Sequence, residues 1–182
     1  MRSDARRNRE LIVTTASALL TRRGSAASME EIARAAGLGV GTLYRHFPDR
    51  QALLVDVAAE ALRTLLAPER DPTEDGWATL LRLVALCTDL PLAVIKDLTA
   101  GLPPPAHLQE LVTDFNALLA RVIERAQREG TLRSDIPSAE VIGILNVALC
   151  RPGARADDHL TTVLLDGLRA RAADDVLWSA SG

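Results

Sequence analysis

Residues 28–47 read Ser-Met-Glu-Glu-Ile-Ala-Arg-Ala-Ala-Gly-Leu-Gly-Val-Gly-Thr-Leu-Tyr-Arg-His-Phe, followed by Pro48-Asp49-Arg50. Ser28 and Glu31 have the S-x-x-E spacing of a capping box, in which each side chain satisfies a backbone N–H of the other, so a helix begins here. Gly37 stops it after about two turns, because only glycine enters the left-handed cap without strain. A second short helix covers Val40 to about His46, and Pro48 and Asp49 restart the chain into a long helix that ends before Pro68. Two short helices joined by a glycine turn make a helix-turn-helix. Ala33 is small enough to let the two approach, and Leu43 with Phe47, four residues on, turns inward as an anchor. Thr42, Tyr44, Arg45 and His46 are left facing outward.

The helical period continues on both sides, and no segment alternates with the period of two that a strand needs. Upstream, a helix from about Arg7 to Arg23 puts Leu11, Ile12, Ala16, Leu19 and Leu20 on one face. The long helix after Asp49 carries Leu53, Leu54, Val57, Ala61, Leu62 and Leu65. A polar linker, Glu69 to Gly76, separates it from Trp77–Leu90, which is apolar on nearly every face and so reads as a helix surrounded by others. Pro91 opens a short helix, and Gly101 with Pro103–Pro105 marks a break. Further helices are expected over Ala106–Glu129, Ser138–Arg151 and Asp157–Arg171. The fold class is all-α, with about nine helices. An N-terminal three-helix unit spans residues 1–50, a connecting helix residues 50–67, and a C-terminal helical bundle residues 68–182.

Charge divides the same way. Residues 1–50 hold nine arginines against five acids, whereas residues 51–182 hold twelve bases against nineteen acids. A polyanion would therefore bind the first unit, whose outward polar edge is suited to a major groove. Of the five aromatic residues in 182, Tyr44 and Phe47 both fall in this stretch. The arginines ahead of the first helix read as a charged helix end more than as a minor-groove arm.

Several function classes find no support. Cys87 and Cys150 have no paired spacing, which suits a reducing cytoplasm and buried thiols. The short run Ala16–Leu20 is too brief for a signal-peptide core, and Leu80–Cys87, broken by Arg82, is too short for a bilayer. His46, His107 and His159 are far apart and no C-x-x-C or H-E-x-x-H occurs, so no metal or cofactor is expected. Gly37-Leu38-Gly39-Val40-Gly41-Thr42 lacks the preceding strand and the lysine of a phosphate loop. A nucleophile made of Cys87 with His107 and Asp89 stays open, although a cysteine in so apolar a helix is more often inert core. No enzyme is indicated.

Residues 10–66, above all Gly39-Val40-Gly41-Thr42-Leu43-Tyr44-Arg45-His46-Phe47 with Pro48-Asp49-Arg50, resemble the DNA-binding domain of TetR-family transcription regulators. Farther on, Gly130-Thr131-Leu132-Arg133 and Leu165-Asp166-Gly167-Leu168-Arg169 resemble the family in outline. The resemblance implies a homodimer whose last two helices pair between subunits and whose C-terminal domain binds a ligand. By position it implies that Thr42 and Arg45 face bases, while Tyr44, His46, Arg50 and Ser28 hold phosphates. Val40 and Gly41 depart from members with polar donors there. Val40 could touch a thymine methyl and Gly41 permits close backbone approach, so DNA shape is expected to contribute to readout.

The resulting expectation is a homodimeric repressor that binds a palindromic double-stranded operator and is released by a small apolar effector, with no membrane involved. The effector is placed between the Trp77–Leu90 and Ala106–Glu129 helices, against Trp77, Cys87, Lys96, Phe115 and Asn116. The dimer seam is placed on Val141, Ile142, Leu145, Leu149, Leu160, Val163, Leu164, Gly167 and Leu168, with Gly167 permitting close approach. Two rivals remain at this stage: an all-helical small-molecule-binding or catalytic bundle, and a DNA binder without an effector.

Overall fold

Four of the helices begin at polar caps in the sequence. The computed structural model describes residues 2–67, 74–100 and 103–170. Within them lie α1 (Arg2–Arg23), α2 (Met29–Ala35), α3 (Val40–His46), α4 (Arg50–Leu66), α5 (Gly76–Thr88), α6 (Leu92–Ala100), α7 (Ala106–Arg128), α8 (Ser138–Leu149) and α9 (His159–Leu168), with a single 3-10 turn at Gly24–Ala26. The Ser28 and Glu31 box is closed at 3.1 and 2.9 Å. Aspartates cap three other helices: Asp49 accepts from Ala52 N at 2.7 Å, Asp75 from Ala78 N at 2.7 Å and Asp158 from Thr161 N at 2.9 Å. Each accepts an N–H that the first helical turn leaves without an intrahelical partner.

The expected helices are all present, with differences at two ends. The first helix starts at Arg2, ahead of the expected Arg7, and its added turn holds an Arg6–Glu10 pair at 2.9 Å. The last was expected to span Asp157–Arg171 but covers His159–Leu168. There Arg169 leaves the helix to pair antiparallel with Leu132. Arg133 N donates to Leu168 O at 3.0 Å, and Ala170 N donates to Thr131 O at 3.1 Å. The two C-terminal motifs quoted above thus meet each other, and this short ladder satisfies carbonyls at the helix end. Arg171, Pro68, Gly101 and the linker positions Glu69 to Thr73 lie outside the described residues.

The helices share one continuous apolar core. Its centre is α4, which packs on α1 on one side and on α6 and α7 on the other. Leu53, Val57, Ala58, Ala61, Leu62 and Leu65 of α4 are all buried, so the connecting helix is held from both units at once. Two other contacts tie the units together. Gly24 has φ +57°, and a Cβ there would meet Pro152 Cγ at 2.6 Å. Gly153 N donates to Thr21 O at 3.0 Å, so the α8–α9 loop touches the end of α1.

The approach of α5 to α7 is closer still. A Cβ on Gly76 would lie 2.5 Å from Ala126 N and 2.8 Å from its Cα, and Gly76 N donates to Glu129 at 2.6 Å. Gly76→Ala must therefore separate two helices that have no side chain to give way. The expected cost is about 1–3 kcal/mol, the usual range for an overpacked interior. It should appear as a lower urea midpoint with an unchanged slope, and an unchanged midpoint would show that the helices separate freely.

Candidate nucleic-acid interface

The outward edge of α3 depends on what lies behind it. Leu43 and Phe47 are almost fully buried, and Ile32 and Ala33 of α2 are buried against them in the same core. Gly37, at φ +68°, makes the turn between α2 and α3. With Leu43 and Phe47 fixed, the helical rotation of 100° per residue decides what faces out. Tyr44 is 41% exposed. Gly41 and Arg45 are exposed as well, while Thr42 and His46 are half-buried. Arg45 Nη2 donates to Thr42 Oγ1 at 2.9 Å, so the two residues expected to face bases are already joined one turn apart. Val40 is half-buried and packs partly on the core, which leaves less of it for a thymine methyl.

A residue that the sequence reading treated only as part of a charged helix end holds α3 in place. Arg9 of α1 donates to the carbonyl of His46 at 3.1 Å, stacks 4.4 Å above the Phe47 ring and pairs with Asp56 of α4. One guanidinium thus connects three helices and caps the C-terminal end of α3, where a cation also meets the negative end of the helix dipole. The signal available in sequence was weak. An arginine in a run of arginines looks solvated until Phe47 and Asp56 are brought beside it.

The Arg50 guanidinium donates to the carbonyls of Ser25, at 2.6 Å, and of Ala27. In the first turn of α4 this cation therefore meets backbone oxygens and holds the loop ahead of α2. Ser28 Oγ accepts from Glu31 N, as a cap does. The return bond, from Ser28 N to Glu31 Oε2 at 2.9 Å, followed by Arg23 at 2.6 Å, holds the Glu31 carboxyl below the ordinary carboxylate range.

In the C-terminal half, a cavity of about 190 Å³ lies among α4, α6, α7 and α8. Lys96, Phe115 and Asn116 line it as expected, together with Leu62, Leu92, Ile95, Thr99, Val112, Asn146 and Cys150. Trp77 and Cys87 do not. At the N-terminal end of α5, Gly76 lies directly against Ala126 of α7. Trp77 is buried with Arg169 stacked 5.9 Å from its ring. Burial, followed by the nearby Cys150, pushes the Cys87 thiol up to about 12. That is the opposite of the activation a nucleophile requires. Among the described residues no three His, Cys, Asp or Glu side chains gather as metal ligands would, and no single helix is long and apolar enough to cross a membrane.

The residues assigned to the dimer seam divide in two. Val141, Leu145, Leu149 and Leu168 are buried in the chain's own core. Ile142 and Leu164 are half-buried and Gly167 is exposed. Leu160 and Val163 are 41% and 66% exposed, joined by Val147 at 61%, which the sequence reading passed over. The free face is therefore Gly143 and Val147 on α8, one step around that helix from the expected seam, and Leu160, Val163 and Gly167 on α9, which belong to it. Helix α8 is apolar almost all round, and such a helix does not reveal from sequence which side is covered by its own chain.

Residues 12–57 match the sequence profile described as bacterial regulatory proteins of the tetR family, and residues 74–170 match that of the C-terminal domain of SbtR-like transcriptional regulators. Among similar proteins is the HTH-type transcriptional repressor KstR2 of Rhodococcus jostii, 29% identical over 71% of this chain and 70% of that protein. A TetR transcription regulatory protein from Mycobacterium vanbaalenii is 32% identical, covers 92% of this chain and 98% of its own, and superposes with a TM-score of 0.56. CprB of Streptomyces coelicolor, at 20% identity, covers 96% and 94% with a TM-score of 0.63, a likeness of fold.

Replacing Arg9 by Ala removes the cap, the stacking and the ion pair together. Because the pair is partly solvent-exposed, the expected loss is about 1–2 kcal/mol. Operator affinity should fall by more than that stability loss accounts for, since α3 loses its support while every outward side chain remains. Thermal unfolding with DNA titration of the same preparation reads both, and unaltered DNA affinity would show that Phe47 and Leu43 suffice.

Proposed function

Because the chain belongs to the TetR family of bacterial transcription regulators, we propose that it acts as a homodimeric repressor which binds a palindromic operator through α3 and leaves it when a small molecule occupies the cavity among α4, α6, α7 and α8. The observation that carries this reading is the joined Thr42–Arg45 pair beside exposed Tyr44, standing on a buried Leu43 and Phe47 base in the basic end of the chain. Arg45 keeps further guanidinium donors for a guanine edge, and the Thr42 hydroxyl can still donate. Tyr44, His46 and Ser28 are the candidate phosphate contacts. Arg50 serves chiefly as a brace for the Ser25–Ala27 loop.

Two copies of the chain would pair through Gly143, Val147, Leu160, Val163 and Gly167. Exposed valine and leucine on two packed helices are costly in water, and the glycines allow a second pair of helices to approach closely. Two-fold symmetry would then set the α3 helices one DNA turn apart, ~34–36 Å.

The route from cavity to DNA runs through α6. Lys96 lines the cavity, while the next residue, Asp97, accepts from Ser25 Oγ at 2.5 Å. Ser25 lies in the loop that Arg50 grips. A ligand that shifts α6 therefore pulls on the loop that leads into α2. To move the population from 1:99 to 99:1, it must favour the released form by ~5.5 kcal/mol.

Fluorescence anisotropy against the DNA upstream of the chain's own gene tests the reader. Thr42→Ala and Arg45→Ala should alter which bases are preferred, with about 1–3 kcal/mol lost at the contacted pair. If both bind every sequence as the parent does, α3 is not the reading element. Val147→Asp should yield a folded monomer by light scattering, and its operator affinity should fall steeply because one reader then acts alone. A Val147→Asp dimer would place the seam elsewhere.

A further inference from the structure

Lys96 is the one lysine in the chain, where twenty arginines supply the other positive charges. It stands at the rim of the α4–α6–α7–α8 cavity. The floor is apolar, formed by the buried Leu62, Leu92, Ile95 and Phe115 with the half-buried Val112. The rim is polar, with exposed Lys96, Asn116 and Asn146. No carboxylate lines the cavity, so its single formal charge is positive, within a half of the chain that is acidic overall.

Neighbouring groups leave that charge unanswered. The nearest carboxylate in sequence, Asp97, is engaged by Ser25. Among the described residues no acid pairs with Lys96. Cys150 lies close enough for the ammonium to act on it, yet burial outweighs that pull and keeps the thiol protonated and neutral. Its S–H faces Asn146 Oδ1 at 3.6 Å, which leaves the Asn146 amide N–H groups for another acceptor. The wider groove between α1 and α4 is different. It too is lined by charges, but they pair with each other as Arg6–Glu10, Arg9–Asp56 and Arg63–Glu60.

We propose that the cavity binds a small monocarboxylate with an apolar body, its tail on the Leu92–Phe115 floor and its carboxylate held at the rim by Lys96 with the amides of Asn116 and Asn146. This deepens, and rests on, the reading of the chain as a ligand-responsive regulator. The volume of about 190 Å³ is below the ~300–1,000 Å³ of sites for drug-sized molecules, so a ligand of roughly ten heavy atoms fits and a large polycyclic one does not. A carboxylate is costly to move out of water unless it gains a charged partner. A cavity without such a partner would therefore prefer the alcohol of the same chain length, and the reverse preference reports on the cation.

The test compares octanoate with 1-octanol by calorimetric titration of the full chain, with operator anisotropy measured in parallel. Octanoate is expected to bind about tenfold tighter or more, a ratio of ~1.4 kcal/mol. Lys96→Gln should bring the ratio to one or invert it, and Lys96→Arg should keep it. Octanol matching octanoate in the parent, a ratio untouched by Lys96→Gln, or no binding of either probe at millimolar concentration each overturns the proposal. Octanoate that binds with the expected preference but leaves operator affinity unchanged upholds the site and refutes effector release instead.

Discussion

The orientation of α3 depends on one cation set against a buried apolar face. Arg9 reaches from α1 to cap α3 at His46, lies on Phe47 and pairs with Asp56 of α4. A seven-residue helix has too few internal hydrogen bonds to persist alone, so its stability and direction must come from tertiary contacts. Leu43 and Phe47 fix one face by burial, which sets the rotation of the helix. Arg9 fixes its far end, which sets the tilt. With both given, the positions of Thr42, Tyr44 and Arg45 follow.

The same logic of few, well-placed contacts joins the reader to the rest of the chain. Helix α4 packs on α1 as well as on α6 and α7, the Ser25–Ala27 loop is gripped by both Arg50 and Asp97, and Gly24 fits beneath Pro152 with no room for a side chain. Cys150 lines the cavity and Pro152 touches α1 only two residues later. Residues that line the cavity and residues that contact the N-terminal unit are thus neighbours on both α6 and the α8–α9 loop. Close-packed elements of this kind shift as units and not by gradual bending.

The cavity shows how packing relocates a site. Helix α5 looks central from its composition, and its apolar surface suggests a pocket. Apolar surface is equally what a tightly packed helix needs, and Gly76 brings the start of α5 directly against Ala126 of α7. The cavity forms beside α6, where Lys96 and Asn116 are joined by Asn146, which the sequence did not single out.

By itself the sequence determined that the chain is all-helical, where most of its helices lie, and that residues 28–47 form a helix-turn-helix with Leu43 and Phe47 turned inward. Those features rest on local chemistry: caps within three residues, glycine turns and a period of 3.6. Lys96, Phe115 and Asn116 were legible as lining residues, although the wall they face was not. Only the tertiary structure decided which sides of α8 and α9 stay free, that Arg50 bonds to Ser25 and Ala27, and that Arg9 meets Phe47 and Asp56. Each of these is a contact between residues far apart in the chain, and helical periodicity reports which residues share a face but not which other helix that face will meet.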